Sequence, residues 1–462
     1  MAIQHDALGE IDIPDGALWG ISTARAVLNF PVSGHRLPAA FVRALGLVKF
    51  ATAEVNGDLE RLSPAKVALI QRVAREVAEG GLFAQFPLDV FQTGSGTSTN
   101  MNINEVIVAR AAQLSPAEKL HANDDVNLSQ SSNDVIPTAI HLSALMAIHA
   151  DLEPALQELH DALRAKSVEF WPIVKTGRTH LQDATPIRLG QEFEGYAGQV
   201  ERAVTRLAYA RSELGEVALG GTAVGTGINA HPEFASKACA RLTKMSGVAI
   251  HETTNHFQAQ ATMDATVAAS GVLNTIAVSL MKIANDLRWL GSGPRAGLFE
   301  ILLPEVQPGS SIMPGKVNPV IAEALIQVCA QVMGNHHAVT LGGQWGFFEL
   351  NTMMPLIAHN LLGSIDLLAS ASRNFARQCV AGLQATANGP AMVERGLAIC
   401  TALAPEIGYD AAAAIAKEAY KSGRTVAEVA LEKTGLTADD LKRILNPESM
   451  VFPGLTGAPM GG

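Results

Sequence analysis

Residues 272–290 have the sequence VLNTIAVSLMKIANDLRWL, in which large apolar residues recur at steps of three or four. These residues are Val272, Ile276, Leu280, Ile283, Leu287 and Leu290. Residues at such steps share one face of a helix, so the spacing predicts a long helix with a continuous apolar face. Lys282 and Asp286 are among the polar residues that interrupt the segment, and we therefore predict that it does not span a membrane.

Two further segments repeat this pattern. One contains Leu145, Ile148, Leu152, Leu156, Leu159 and Leu163, and the other contains Leu189, Phe193, Tyr196, Val200, Val204 and Leu207. Each of the three segments runs roughly 27 Å at 1.5 Å per residue. Aromatic residues make up only 5% of the 462 residues, so small aliphatic side chains must fill the core. We predict a mainly α fold with a central bundle of long helices that packs across subunits.

Charge and cysteine content restrict the partners and the compartment. A formal charge of -10 argues against nucleic acid or an anionic membrane as the main partner. The N-terminal MAIQHDALGEIDIP has no apolar core of signal-peptide length, so we expect a cytoplasmic protein. The four cysteines form no CxxC pair and have no zinc-ligand spacing, which predicts free thiols at Cys239, Cys329, Cys379 and Cys400.

The polar loop at residues 309–323, GSSIMPGKVNPVIAE, has a composition suited to anions. Its glycines allow the backbone to turn and expose N–H groups, Ser310 and Ser311 supply hydroxyls, and Lys316 supplies a positive charge for a carboxylate or phosphate. It is not a phosphate-binding P-loop, because five residues instead of four separate the glycines and valine follows the lysine. An ordinary surface loop is the alternative interpretation.

The order GSSIMPGKVNP resembles the signature loop of the fumarase/aspartase superfamily. Its members are lyases that add or remove a small group across a four-carbon dicarboxylate. Aspartases of that superfamily usually have PAKVNP and fumarases PGKVNP. Gly315 therefore favours the class II fumarase branch.

Two polar clusters precede helical patterns, at residues 94–102 (GSGTSTNMN) and 121–138 (HANDDVNLSQSSNDVIPT). Both predict loops that feed helix N-termini, where free N–H groups favour a bound carboxylate, although helix capping alone would explain each. The resemblance implies substrate-binding roles for Ser95, Gly96, Thr97, Ser131, Ser132 and Asn133. It also implies a second, weaker dicarboxylate site at His121, Ala122, Asn123 and Asp124, where alanine replaces the usual proline.

Residues 177–180 have the sequence GRTH. A lone histidine is commonly a hydrogen-bonded structural residue. Fumarases carry GRTH at this point and aspartases typically GRTQ, so His180 is a second discriminator in favour of fumarase. A dehydratase must protonate a leaving hydroxide, and a histidine that titrates near neutrality suits that task.

Two other motifs are assigned no cofactor or metal. GGTAVGTGIN at residues 220–229 lacks the strand and spacing of a dinucleotide-binding fingerprint, and we expect a turn that passes close to the site. His336 and His337 are adjacent and would point in different directions on a helix, with no carboxylate at ligand spacing. We predict that both histidines lie at the protein surface.

The resemblance covers nearly the whole chain and implies three domains, at residues 1–130, 131–387 and 388–462. The last is predicted to contain small helices, with Gly423 at a helix C-terminus and a capping box from Thr437 to Asp440. We expect the tail from residue 451 onward to be mobile.

The implied activity is reversible hydration of fumarate to (S)-malate without metal or organic cofactor. It implies a homotetramer in which each active site draws loops from three subunits. The implied catalytic residues are His180, Ser310, Lys316, Asn318 and Glu323. Ser310 would remove the C3 proton, and His180, paired with Glu323, would act on the hydroxyl group through water. Further substrate contacts are implied for Thr179, Ser311, Lys316, Val317 and Asn318.

Two alternatives accompany this interpretation. An aspartate ammonia-lyase would share the fold and the intermediate, but His180 and Gly315 argue against it. A non-catalytic helical scaffold would leave the joint retention of the serine, histidine and lysine motifs without a reason.

Overall fold

The computed structural model describes residues 2–454 and confirms a mainly α fold. Contacts within the chain define two compact units, which we call unit 1 and unit 2. Unit 1 comprises Met1–Ala155, Ala203–Val278 and Val328–Ser370, and unit 2 comprises Leu156–Arg202, Ser279–Gln327 and Ala371–Gly462. The division into three domains stays a prediction.

Seventeen helices of the α type lie within the described residues. They are α1 (Ile21–Asn29), α2 (Ala39–Asp58), α3 (Pro64–Ala78), α4 (Thr97–Leu114), α5 (Ser132–Ala147), α6 (Glu153–Glu169), α7 (Leu189–Gly215), α8 (Phe234–Ser246), α9 (His256–Ala261), α10 (Asp264–Leu290), α11 (Val320–Gly343), α12 (Met354–Gln378), α13 (Asn388–Arg395), α14 (Ala404–Ile407), α15 (Tyr409–Ser422), α16 (Val426–Lys433) and α17 (Ala438–Ile444).

The strands of the described residues are short and form two-stranded sheets. They are β1 (Ala2–Asp6), β2 (Gly9–Ile13), β3 (Val174–Thr179), β4 (Gln182–Arg188), β5 (Glu216–Val217), β6 (His251–Glu252), β7 (Ile301–Leu302), β8 (Gly346–Phe347), β9 (Leu350–Asn351) and β10 (Gln384–Ala385). The pairs β1–β2, β3–β4, β7–β10 and β8–β9 are antiparallel, and β5–β6 is parallel. The β3–β4 hairpin carries the predicted catalytic residue His180 at its tip.

The three predicted apolar patterns all lie on helices. The first extends from α5 through the π-helical turn Ile148–Leu152 into α6, and its six residues are buried. The second lies on α7 and the third on α10, each with five of its six residues buried. Val204 and Val272 are the half-buried exceptions.

Helix α2 packs against α3, α5 and α8 in unit 1. Its residues Leu45, Val48 and Val55 are fully buried. Burying an aliphatic side chain of this size contributes about 1.5–3 kcal/mol relative to leaving it exposed. The same helix also buries polar Lys49 and Asn56, so its inner surface is not purely apolar.

The C-terminal part of unit 2 has an apolar cluster of its own between Ile399 and Leu445. Thr437 and Asp440 form the predicted capping box, and Gly423 ends α15 in a left-handed conformation, so both predictions are confirmed. The expected mobility of the tail was wrong for Val451, which is buried and accepts a hydrogen bond from Gln191 at 2.9 Å. Residues 455–462 lie outside the described part of the chain.

Two helical segments of the described residues are long and apolar enough to cross a membrane by length and composition alone. They are Ser132–Glu169 and Asp264–Leu290, with 72% and 44% of their apolar windows buried within the protein. Core helices meet the same criterion, so the absence of a membrane span stays a prediction.

Candidate active site

The first turn of α4 in unit 1 depends on Gly96. This residue precedes the helix in a left-handed conformation, with φ of 71°. A Cβ atom there would lie 2.9 Å from Cγ2 of Ile136, too close for an ordinary contact. Glycine therefore meets both the backbone and the packing requirement, and it allows Thr97 to begin the helix.

A chain of three hydroxyl groups joins the beginnings of α4 and α5. Oγ1 of Thr97 lies 2.8 Å from Oγ of Ser95 and 2.7 Å from Oγ of Ser132. Helix N-termini present unpaired N–H groups and a positive dipole end, which favour an anion. Unit 1 thus brings together the predicted substrate residues of two separate sequence motifs.

Asp134 fixes the N-terminus of α5 within unit 1. It completes a capping box with Ser131, and its carboxylate accepts hydrogen bonds from the N–H groups of Gly220 and Thr222, both at 3.0 Å. Burial raises the pKa of Asp134 to about 6, against the lowering effect of these N–H groups. Asn133 Nδ2 also donates to Ala223 O at 2.8 Å. The glycine-rich segment 220–229 is therefore held against the first turn of α5.

The predicted second dicarboxylate site forms an exposed turn. Nδ1 of His121 accepts a hydrogen bond from the N–H of Asp124 at 3.1 Å and lies 3.0 Å from the Asp124 carboxylate. Ala122 and Asn123 lie between them in a π-helical turn. Nδ1 of His121 is thus engaged by its own turn. A dicarboxylate-binding role for these residues stays a prediction.

His180 lies at the tip of the β3–β4 hairpin in unit 2, where Thr179 pairs with Gln182. The two tip residues, His180 and Leu181, have left-handed backbones with φ of 57° and 58°. Such two-residue turns favour Asn and Gly, and for other residues the conformation costs roughly 1–2 kcal/mol each. Both side chains are exposed. Strain of this kind is typical of functional positions, and here it projects a histidine from the surface.

Buried charges anchor the base of this hairpin. Nζ of Lys175 lies 2.7 Å from Oε1 of Glu192 and 2.9 Å from Oε2 of Glu300. The second contact is an ion pair without hydrogen-bond alignment. Arg178 donates to the other Glu300 oxygen at 2.6 Å. Burial raises the pKa of Glu192 above its ordinary value, although the positive charge of Lys175 acts in the opposite direction. The network fixes β3 to the segment around residue 300.

The signature loop of unit 2 closes on itself. Asn318 Nδ2 donates to the carbonyl of Gly309. A Cβ atom at position 309 would lie 1.8 Å from the Lys316 carbonyl oxygen, so this close approach requires glycine. Within the loop, Oγ of Ser310 accepts hydrogen bonds from the N–H groups of Ile312 and Met313, at 3.2 and 3.0 Å. Two backbone donors are therefore aimed at one serine oxygen.

A cavity of about 490 Å³ in unit 2 lies beside this loop. It is lined by Asn285, Arg288 and Trp289 of α10 together with the predicted residues Lys316, Val317, Asn318 and Glu323. Nε of Arg288 is buried and has no hydrogen-bond partner among residues 2–454. Two cationic side chains, two amides and one carboxylate thus line a space of the size that small-ligand sites have.

Some of the predicted catalytic residues make no direct polar contact with one another within the described part of the chain. Among residues 2–454, no hydrogen bond or ion pair links His180 to Glu323 or to Ser310. Ser311, like Thr179, is exposed. The predicted pairing of His180 with Glu323 is therefore not made inside the described chain.

Three charged residues that contact or lie beside the predicted site residues were not predicted from the sequence to belong to the site: Asp134, Arg288 and Glu300. Asp134 stands three residues after Ser131, the spacing of a capping box, so a signal for it existed. Arg288 lies within the helical pattern of residues 272–290, where nothing in the spacing marks it as a site residue. Glu300 has no local pattern that would reveal its partners.

No group of three or more His, Cys, Asp or Glu that could hold a metal ion occurs in the described part of the chain. Nδ1 of His336 lies 3.0 Å from Oγ of Ser270, and His337 is exposed. His336 is half-buried, so only one member of the predicted surface pair is fully at the surface.

Comparison with known proteins gives a consistent result along the chain. A family model described as lyase matches residues 9–334, and one described as fumarase C C-terminus matches residues 399–451. The class II fumarate hydratase of Mycobacterium tuberculosis is 53% identical over 95% of this chain and 92% of its own length. The mitochondrial fumarate hydratase of Homo sapiens is 50% identical over 98% of this chain and 90% of its own.

A solved structure agrees with these sequence relatives. The crystal structure of class II fumarase from Schistosoma mansoni has a TM-score of 0.95 and 39% identity, covering 98% of this chain and 99% of that chain. The fold and the sequence therefore point to the same relatives. The chain belongs to the class II fumarate hydratase family of lyases.

Proposed function

We propose that this protein catalyses the reversible hydration of fumarate to (S)-malate, with Ser310 as the base that removes the C3 proton of malate. The observation that carries this role is the pair of N–H groups, from Ile312 and Met313, that donate to Oγ of Ser310. Hydrogen bonds to a charged form favour that form, so these donors stabilise a serine alkoxide. The C3–H bond breaks and its proton passes to that oxygen.

Proton loss places the electron pair of the broken bond on the neighbouring carboxylate, which becomes an aci-carboxylate with two negative charges. Lys316 and Asn318 line the cavity beside the loop and are suited to stabilise this charge. Arg288 lines the same cavity and adds a second cationic side chain. Fixed donors of this kind lower the energy of the transition state because they need no reorganisation as charge develops.

Loss of the C2 hydroxyl completes the reaction toward fumarate. The C2–O bond breaks, the electron pair returns to form the C2=C3 double bond, and hydroxide must gain a proton to leave as water. We assign that proton transfer to His180, acting through a water molecule and paired with Glu323 of the site. In the hydration direction the same groups remove a proton from the attacking water.

The hydroxyl cluster of unit 1 is assigned to the second carboxylate of the substrate. Ser95, Thr97 and Ser132 place three hydroxyl groups at two helix N-termini. Such an arrangement offers both O–H and N–H donors to an anion. Thr179, Ser311 and Asn133 are assigned to the surrounding polar wall.

We further propose a homotetramer whose active sites are shared between subunits. Two observations support it. His180 is exposed on a strained hairpin tip and makes no hydrogen bond to the other predicted catalytic residues among the described residues of its own chain. Helix α10 is apolar, yet only 44% of its apolar window is buried, and it exposes Val278 and Trp289. Packing against other subunits would bury such a surface.

Subunit mixing tests the shared site. Ser310→Ala and His180→Asn proteins, each expected to have greatly reduced activity, are dissociated together and allowed to reassemble. Some reassembled sites would then combine an intact Ser310 with an intact His180, so part of the activity should return. Each variant dissociated and reassembled alone is the control. Fully reassembled tetramers without any recovered activity would contradict the proposal.

The activity itself is tested by following the absorbance of the fumarate double bond with malate, and separately with aspartate, as substrate. We expect fumarate from malate only, and we expect it to persist after exhaustive chelation, since the sequence contains no metal-binding motif. Fumarate from aspartate would favour the ammonia-lyase. Activity lost on chelation and restored by one divalent ion would contradict a cofactor-free mechanism.

A cytoplasmic location, which four free thiols support, is tested by cell fractionation.

A further inference from the structure

One face of α2 carries buried polar residues, among them Lys49 and Asn56. They are seven residues apart, which places them on the same side of a helix. Lys49 is 0% exposed and Asn56 is 1% exposed. Both side chains contact one turn of unit 1, at residues 127–130.

Lys49 is held by neutral amide groups. Its Nζ donates to Oδ1 of Asn127 at 3.0 Å and to Oε1 of Gln130 at 2.9 Å. Asn100 Nδ2, from the first turn of α4, donates to the same Asn127 oxygen at 3.0 Å. Oδ1 of Asn127 therefore accepts from both Lys49 and the helix turn that begins with Thr97, so the lysine and α4 meet at one amide oxygen of the 127–130 turn.

Asn56 holds the same turn at two further points. Its Nδ2 donates to the carbonyl of Leu128 at 2.9 Å, and its Oδ1 accepts from the Ser129 hydroxyl at 2.9 Å. Ser129 has a φ of 62°, a left-handed conformation that non-glycine residues rarely adopt. Surrounding contacts must maintain such a conformation, and the two hydrogen bonds with Asn56, one accepted and one donated by it, supply them.

The turn leads directly into the proposed substrate residues, because Gln130 precedes Ser131, the residue that caps α5. We propose that Lys49 and Asn56 are positioning residues of the fumarate site, which set the placement of residues 131–133 relative to the first turn of α4. This inference rests on the proposed function. Neither residue is assigned a contact with the substrate.

The chemical nature of Lys49 supports a role beyond packing. Burial lowers the pKa of Lys49 to about 7, against the opposing attraction of Asp134, so the buried ammonium group is unfavourable for folding. Replacing buried ionic groups by apolar side chains of similar size is often neutral or stabilising. A lysine at this position therefore needs a reason other than stability, and the amide network provides one.

The test compares Lys49→Met with Thr52→Val. Thr52 is a matched control because it is equally buried on α2 but donates only to carbonyls of its own helix. Hydrogen exchange of the amides at residues 127–134, measured without substrate, should be faster in Lys49→Met and unchanged in Thr52→Val. Misplacement of a site by 1 Å can cost about 10²-fold, so we expect kcat/KM for malate to fall by about 10- to 100-fold in Lys49→Met.

A non-reactive dicarboxylate separates positioning from chemistry. The inhibition constant of succinate should rise in Lys49→Met and stay unchanged in Thr52→Val, because the displaced residues are assigned to binding. Asn56→Leu is the second variant, with the same three measurements, and it decides the question if Lys49→Met does not fold.

The outcomes distinguish this inference from the function on which it rests. Folded, active variants with wild-type amide exchange and wild-type kcat/KM would overturn the positioning role alone. A wild-type protein that makes no fumarate from malate would instead overturn the proposed function and, with it, this inference.

Discussion

The backbone nitrogen of Met313 lies 3.0 Å from the hydroxyl oxygen of Ser310 and donates a hydrogen bond to it. Ile312 donates a second hydrogen bond at 3.2 Å. A serine hydroxyl in water is a very weak acid, so its use as a base requires a site that stabilises the alkoxide. In the proposed mechanism these two N–H groups supply that stabilisation.

Replacing Ser310 by alanine should remove the base and leave the loop intact, since the closing contact is made by Asn318 and Gly309. We expect kcat for malate to fall by about 10²- to 10⁴-fold, with little change in the melting temperature. Steady-state kinetics and thermal denaturation measure the two effects. Ser422→Ala, on α15, is the control and should behave as wild type.

Replacing His180 by asparagine should lower kcat by about 10²- to 10⁴-fold, while substrate binding suffers less. Asparagine is also well tolerated in the left-handed conformation at this hairpin tip, so the hairpin should persist. A near-normal kcat would show a structural role for His180 and revive the ammonia-lyase alternative.

Glu300→Gln should destabilise the protein through the hairpin anchor. The change removes the carboxylate that faces Lys175 and Arg178, leaving buried positive charge with less compensation. Breaking a buried ion pair by removing one partner typically costs about 3–5 kcal/mol, and we expect a loss in that range from denaturant unfolding at equal protein concentration. Glu305→Gln, at an exposed position in the same segment, should show no comparable loss.

Lys49 should make the free energy of unfolding increase with pH, over the interval between its lowered pKa of about 7 and the ordinary lysine pKa of 10.5. Burial lowers the pKa of Lys49 to about 7, from 10.5. Below pH 7 both folded and unfolded chains hold the proton, so the full cost of the buried charge is present. Between pH 7 and 10.5 the unfolded chain binds more protons, so the free energy of unfolding rises.

The measurement compares wild type with Lys49→Met at several pH values and equal protein concentration, which removes the contribution of groups common to both. Wild-type stability relative to the variant should increase from pH 7 to 9. A constant difference over that interval would contradict the lowered pKa.

The sequence predicted the helices well because their signal is local. Val272 to Leu290 repeat the helical spacing over several turns, and α10 contains all of them. The signature loop and the helix N-termini were predictable from short motifs with a specific order. The Thr437 and Asp440 capping box could be identified for the same reason, since its partners are three residues apart.

The remaining features depend on contacts between distant residues. Glu300 meets Arg178 across 122 positions, and Lys49 meets Gln130 across 81, without any local pattern that marks the pairs. The strain at His180 and Leu181 could not be predicted either, since neither residue is typical of a left-handed turn. The buried state of Val451 was missed because its partner Gln191 is remote in sequence.

In the proposed mechanism Ser310 removes the C3 proton and His180 acts separately on the hydroxyl group. Proton NMR of malate in D₂O measures it most directly, by following exchange at C3 together with fumarate formation in wild type, Ser310→Ala and His180→Asn. We expect Ser310→Ala to lose both processes and His180→Asn to lose fumarate formation to a greater extent than C3 exchange. Wild-type C3 exchange in Ser310→Ala would contradict it.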